Sequence, residues 1–139
     1  MIVLLTGSRK WTDYSEFDSF MNLVRLKTVP LGSNFTLLVH GACRTGADFL
    51  ANEWAASKSI VVKQFPADWS LGNKAGPIRN QQMIDWANEK ALQPNPDVKS
   101  SWTEVICVAF PLPDSKGTWD CVRRCERARI RTFVWGQEN

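Results

Sequence analysis

The sequence predicts an α/β fold: a doubly wound, mostly parallel sheet of five strands in the order 3-2-1-4-5, with helices on both faces. Three observations predict it. Short apolar runs without polar alternation recur along the chain, as strands covered on both faces require. Between them lie stretches whose apolar residues are spaced three and four apart, as helices with one buried side require. Strand and helix patterns also alternate throughout, which right-handed crossovers convert into a parallel sheet. At 139 residues the chain is read as one domain, 1–139, long enough to bury its own core.

Ile2-Val3-Leu4-Leu5 is the first apolar run. Ser15-Glu16-Phe17-Asp18 has the spacing of a capping box, and Phe17, Phe20, Met21 and Val24 then mark one helical face before Pro30 and Gly32 close it. Phe35 to Val39 gives the second strand, and Ala47, Leu50, Ala51, Trp54 and Ala55 the stripe of the second helix. Ile60 to Phe65 is the third strand. Pro77 suits the first position of the next helix, where its missing N–H costs nothing, and Met83, Ile84, Ala87 and Ala91 form the apolar side. Gln93 to Ser101, with two prolines, is a polar connector read as a mobile excursion. Val105 to Phe110, Thr118 to Ala128 and Ile130 to Trp135 complete the alternation as strand, helix and strand.

Composition narrows the function. A net charge of +3 and a pI near 8.8 permit an anionic ligand but are too modest for wholesale nucleic-acid binding. No apolar run approaches the roughly 20 residues of a membrane span, and Met1 leads into a strand without a basic leader, so a cytoplasmic protein without membrane contact is expected. The four cysteines form neither a disulfide framework nor a metal-ligand spacing. Cys121 and Cys125 read as small core-facing residues. No metal or cofactor is expected.

In the predicted topology, four unusual loops leave strands at one edge, where open α/β sheets bind ligands at a topological switch point. Thr6-Gly7-Ser8-Arg9 offers a tight turn, hydroxyls and a cation able to grip phosphate, or equally a plain strand-to-helix turn. Trp11 and Asp13 follow it, placed to pack or cap. His40-Gly41 to Gly46 has the form of a phosphate loop at a helix start, but Ala47 replaces the lysine of a Walker A loop. Thr45 to Asp48 also has capping-box spacing, so Asp48 is read equally as cap and as ligand contact. His40, the single histidine, is a candidate contact whose commoner role is structural. Phe65 to Asn80 brings Asp68, Trp69, Lys74, Arg79 and Asn80 together. Arg79 in a first helical turn opposes the dipole, a conflict that a bound anion or Asp68 would relieve. Trp69 is placed either to stack on a base or to be buried. Ser115-Lys116-Gly117-Thr118 is a second phosphate cradle or a simple cap. Arg123, Arg124, Arg127, Arg129 and Arg131 read as a solvated face, with nucleic-acid contact the minority reading.

With these residues together, the chain resembles the SLOG superfamily of Rossmann-like proteins, which joins the DNA-processing protein A (Smf) domain to the Lonely Guy phosphoribohydrolases. Within it the similarity is to the small single-domain branch related to the YspA proteins, common in bacteria and phages. Thr6 through Trp11, His40 through Ala55, Phe65 through Met83, Ala109-Phe110-Pro111 and Ser115 through Val122 carry the resemblance. It implies a nucleotide-like ligand at the strand ends, often in a homodimer. The Lonely Guy enzymes cleave an N-glycosidic bond with an arginine and with a glutamate four residues after the glycine of a glycine-threonine motif. Arg79 is similar to that arginine and Gly117-Thr118 matches the motif, but the glutamate position is Cys121 and the preceding double glycine is Asp114-Ser115. Asp120 is one residue early, about 100° round a helix.

The leading expectation is therefore a binder of a nucleotide-derived small molecule, contacting it through Gly7, Ser8, Arg9, His40, Gly41, Thr45, Gly46, Asp48, Trp69, Lys74, Arg79, Asn80, Ser115, Gly117 and Thr118. The first alternative is a nucleotide-cleaving enzyme with Arg79 orienting phosphate and Asp120 or Asp68 as acid or base. The second is a nucleic-acid-binding module using the arginine-rich last helix.

Overall fold

The computed structural model describes residues 1–93 and 104–137. Its strands are β1 (Ile2–Gly7), β2 (Leu37–His40), β3 (Val61–Gln64), β4 (Val105–Phe110) and β5 (Arg131–Val134). They form one sheet in the order β3-β2-β1-β4-β5, every pairing parallel. The helices are α1 (Tyr14–Thr28), α2 (Ala47–Ser57), α3 (Ala75–Ala91) and α4 (Lys116–Arg127), with a 3-10 segment at Trp69–Lys74. The connector expected over Gln93–Ser101 lies outside the described residues from position 94 onward.

The unalternating run of β1 is explained by its two neighbours. Val3 and Leu5 join Phe17, Met21, Leu50 and Trp54 in the layer under α1 and α2. Ile2 and Leu4 join Met83, Ile84, Ala87, Cys121 and Cys125 under α3 and α4. Each fully buried side chain of this size contributes about 1.5–3 kcal/mol, so both faces of β1 must be apolar. Phe17 stacks on Phe110 at 4.5 Å, and Trp11 meets Phe110 edge-on at 5.2 Å. The buried Trp54 indole N–H donates to Asp18 at 2.9 Å, which satisfies its polar edge inside an apolar layer.

Helix starts or caps differ from the sequence reading in all four helices; α4 simply begins at Lys116, two residues before Thr118. The first helix begins at Tyr14, not after Ser15, because the Asp13 carboxylate accepts the Glu16 N–H at 3.0 Å and serves as the cap. Second, α2 has no Thr45–Asp48 capping box. Its cap is Gly46, with no side-chain bond, while the Thr45 hydroxyl donates to Arg9 O at 3.0 Å and Asp48 accepts from the Cys43 N–H at 3.1 Å. Third, α3 starts two residues before Pro77. Pro77 still occupies a first-turn site without an internal N–H partner, but Arg79 moves to the fifth position, where the dipole penalty has faded.

Candidate functional site

The end of β1 and the loop after β4, with the starts of α2, α3 and α4, line a cavity of about 450 Å³. That is within the ordinary range for a small-molecule site. It lies at the switch point, since α2 follows β2 on one side of β1 and α4 follows β4 on the other. Four cationic side chains line it (Arg9, Lys10, Arg79 and Lys116) together with two carboxylates, Asp48 and Asp114.

The first wall is the turn after β1. The Ser8 N–H donates to Phe110 O at 3.0 Å, and Ser8 O accepts the Ala47 N–H at 3.0 Å, so this turn is stitched to β4 and to the start of α2. Gly7 lines the cavity, yet its lack of a side chain answers packing as well. A Cβ there would stand 3.0 Å from the Phe110 Cβ and closer still to the Ala47 Cβ. Arg9 leaves the turn to lie over the Trp69 ring at 4.8 Å, an exposed cation–π lip. Trp69 is thus neither buried nor inside the cavity.

The second wall holds Gly41, Cys43 and Asp48. The α2 start is not a free anion cradle, because Ser8 O takes its first N–H and Asp48 lies in its first turn. His40, Thr45 and Gly46 stand behind this wall and do not line the cavity. His40 is fully buried: Nδ1 accepts the Ala42 N–H at 2.9 Å and Nε2 contacts Asn52 Oδ1 at 2.6 Å. Both ring nitrogens are therefore engaged by the protein. Burial and the Asp48 charge push the Cys43 thiol up from its ordinary value, so it is protonated at neutral pH and not poised as a nucleophile.

The third wall is Arg79 and Asn80. Arg79 donates to Gly41 O at 2.5 Å, to Asn80 Oδ1 at 3.0 Å and to Phe65 O at 3.4 Å. All three acceptors are neutral, and no carboxylate of the described residues lies within ion-pair distance. Its charge faces the cavity uncompensated. Asp68, the expected neighbour, instead accepts from the Ser70 N–H and hydroxyl at 3.1 and 2.6 Å. It is exposed and outside the cavity, as is Lys74. Asn80 is buried and fully used, donating to Gly117 O at 3.2 Å and Asp120 Oδ2 at 3.0 Å.

The fourth wall is the start of α4. Ser115 turns back, its hydroxyl accepting the Leu112 N–H at 2.8 Å, and gives the helix no side-chain cap. Among the described residues, no acceptor stands on the Gly117 or Thr118 N–H, and the first turn contains no acid. Gly117 faces open space, with no heavy atom within 4 Å of where a Cβ would be. This is the free helix terminus of the site.

Asp120 does not line the cavity. Burial acts to raise its pKa, but the hydrogen bonds from Arg124 and Asn80 and the arginine charges outweigh it, holding the carboxyl below its usual range. It is an ionised structural partner of Arg124 at 2.9 Å. Such a group contributes stability above its unfolded pKa near 3.8 and loses it as pH falls through the lower folded value. Asp120→Asn should therefore cost about 1 kcal/mol at neutral pH, with the gap to wild type closing only below the ordinary carboxylate range. Melting curves from pH 7 to pH 2 check this; a gap independent of pH would contradict it.

Lys10, Lys116, Cys43 and Asp114 line the cavity without having been among the expected contacts. Lys10 and Lys116 directly adjoin expected residues, so adjacency was the available signal for both. Cys121, at the glutamate position, is fully buried, and the neighbouring Cys125 thiol and burial push it well above the ordinary thiol range. As expected, Cys121 and Cys125 are core residues.

The family described as YAcAr, the YspA, cpYpsA-related SLOG family, matches this sequence over residues 1–72. The chain is also 33% identical over 143 positions to the Gene 61 protein of Mycobacterium phage D29, covering 98% of this chain and 97% of that one. The chain belongs to the YspA-related SLOG family. The family match spans the Ser8, Gly41 and Asp48 walls of the SLOG domain, while Arg79 and the α4 start fall in the part covered by the phage relative. No solved structure matches the chain. No helix among the described residues is long and apolar enough to cross a membrane.

Proposed function

We propose that this SLOG protein binds a nucleotide or nucleotide-derived ligand, with a phosphate group on the start of α4, and acts as a sensor, carrier or sequestering protein. The observation that carries the reading is the set of uncommitted donors on one side of the cavity. The Gly117 and Thr118 N–H groups lack acceptors among the described residues, and Lys116 and an unpaired Arg79 flank them. A phosphate there would satisfy the orphan amides, align with the helix dipole and neutralise the arginine together. Membership of the SLOG family supports a nucleotide-related role.

Cleavage of a glycosidic bond receives less support from the same residues. The position matching the Lonely Guy glutamate is a buried, protonated thiol, Asp120 is held ionised by Arg124 and Asn80, and Asp68 lies outside the cavity.

A thermal-shift panel of nucleoside mono- and diphosphates, cyclic nucleotides and ADP-ribose derivatives, with chromatography of every hit, tests the reading. A ligand at a hundredfold its Kd should stabilise the protein by about 2.7 kcal/mol, roughly 5–10 °C for a chain of this size, and should be recovered intact. Recovery of free base would move the assignment to an enzyme. Absence of a shift with every phosphorylated probe would sink it.

A further inference from the structure

Asp48 is out of keeping with a cavity built for anions. It lines the cavity with a relative exposure of only 5%. One carboxylate oxygen, Oδ2, accepts the Cys43 N–H at 3.1 Å. Although Arg9, Lys10, Arg79 and Lys116 share the cavity, no described lysine or arginine nitrogen comes within ion-pair distance of it. A carboxylate so placed repels phosphate, so the part of the ligand beside it must carry hydrogen-bond donors.

Topology indicates which part that is. The starts of α2 and α4 flank the end of β1 from opposite sides. Phosphate on the α4 start lies on the β4 side. On the β2 side, Gly46 packs on the Ser8 and Arg9 backbone, and Arg9 carries the cavity outward to the exposed Trp69 ring. A nucleotide spanning these ends, with its base against the Arg9–Trp69 lip, brings its sugar beside Asp48.

We infer that Asp48 accepts hydrogen bonds from the ribose hydroxyls of the ligand and makes this site selective for ribonucleotides over deoxyribonucleotides. The inference rests on the nucleotide reading above and adds the sugar to it. The carboxylate has lone pairs beyond the one given to Cys43, enough to take the 2′- and 3′-hydroxyls. A hydrogen bond to a charged acceptor that is lost in the competing ligand typically changes affinity about ten- to hundredfold.

The test is calorimetric titration of the full chain with AMP, GMP, CMP and UMP, each beside its 2′-deoxy counterpart, and with IMP beside AMP. For the nucleotides that bind, the deoxy form should be weaker by about tenfold or more. Asp48→Asn keeps an oxygen for the Cys43 N–H and should bind ribo and deoxy forms alike. Equal wild-type affinities for ribo and deoxy forms would overturn the inference while leaving the nucleotide reading intact. So would selectivity that survives in Asp48→Asn, or that follows AMP against IMP in place of the sugar, since Asp48 would then read a base amino group. Failure of every nucleotide to bind would overturn both. Should Asp48→Asn not fold, the wild-type pairs still decide.

Discussion

Gly46→Ala should destabilise the protein by at least about 3 kcal/mol, the largest stability effect expected of a single methyl group in this chain. Gly46 has φ 77° and ψ −149°, a region that only glycine occupies without strain. The added Cβ would also lie 2.5 Å from the Arg9 Cα and carbonyl carbon, and closer still to Ser8 O. These are backbone atoms, which cannot swing aside as a side-chain tip can. The loops are further tied there by Thr45 to Arg9 O and Ala47 N–H to Ser8 O, both at 3.0 Å. Strain and overpacking therefore fall on the joint that holds the first wall of the site. Gly117→Ala is the matched control, since its Cβ meets nothing within 4 Å; its stability should stay within about 0.5 kcal/mol of wild type. Urea unfolding of both variants decides it. A Gly46→Ala cost below about 1 kcal/mol would mean the two loops are not locked as described.

The sheet order was legible because β1 and β4 cannot be half-exposed. Ile2, Val3, Leu4 and Leu5 have no polar alternation, and both faces of β1 are covered by helices. The position of the cavity, at the strand ends beside β1, followed from the same topology. Capping was less legible, because it is settled by competition between neighbouring polar groups. Asp13 and Ser15 both offered caps, and Asp13 took the Glu16 N–H. The phosphate loop expected at Gly41–Gly46 shows the deeper limit. Its helix start meets Ser8 O, from a loop nearly forty residues earlier, and nothing local in the sequence announces that contact. Among the described residues, the helix start left without acceptors is instead the one at Gly117–Thr118, which sequence alone left as either cradle or cap. Asp120 carried a usable signal, since Arg124 lies four residues on and an i,i+4 pair is the ordinary consequence.

Arg79→Ala should weaken the nucleotide identified by the ligand panel about a hundredfold while the protein still folds. The affinity change corresponds to losing a charge-assisted phosphate contact of about 3 kcal/mol, made by the guanidinium N–H groups not already given to Gly41, Asn80 and Phe65. The fold should lose only about 1–2 kcal/mol, chiefly because the buried Asn80 Oδ1 is left without its donor. Arg79→Lys keeps the charge but not the planar fork that spans Gly41 O and Asn80, so it should recover little of the affinity. Gly41 supplies an independent handle on the same group. A Cβ at Gly41 would lie 2.6 Å from the Arg79 guanidinium carbon, and that guanidinium, as the end of a flexible side chain, can move. Gly41→Ala should thus fold and yet bind weakly, because it displaces the cation that the ligand needs. If displacement of Arg79 is the whole cause, Gly41→Ala in the Arg79→Ala background should cost almost nothing more, a coupling of roughly 1–3 kcal/mol in a double-mutant cycle. Additive losses would show that Gly41 acts on the ligand directly, and an unchanged affinity in Arg79→Ala would remove the anion pocket from this edge of the sheet.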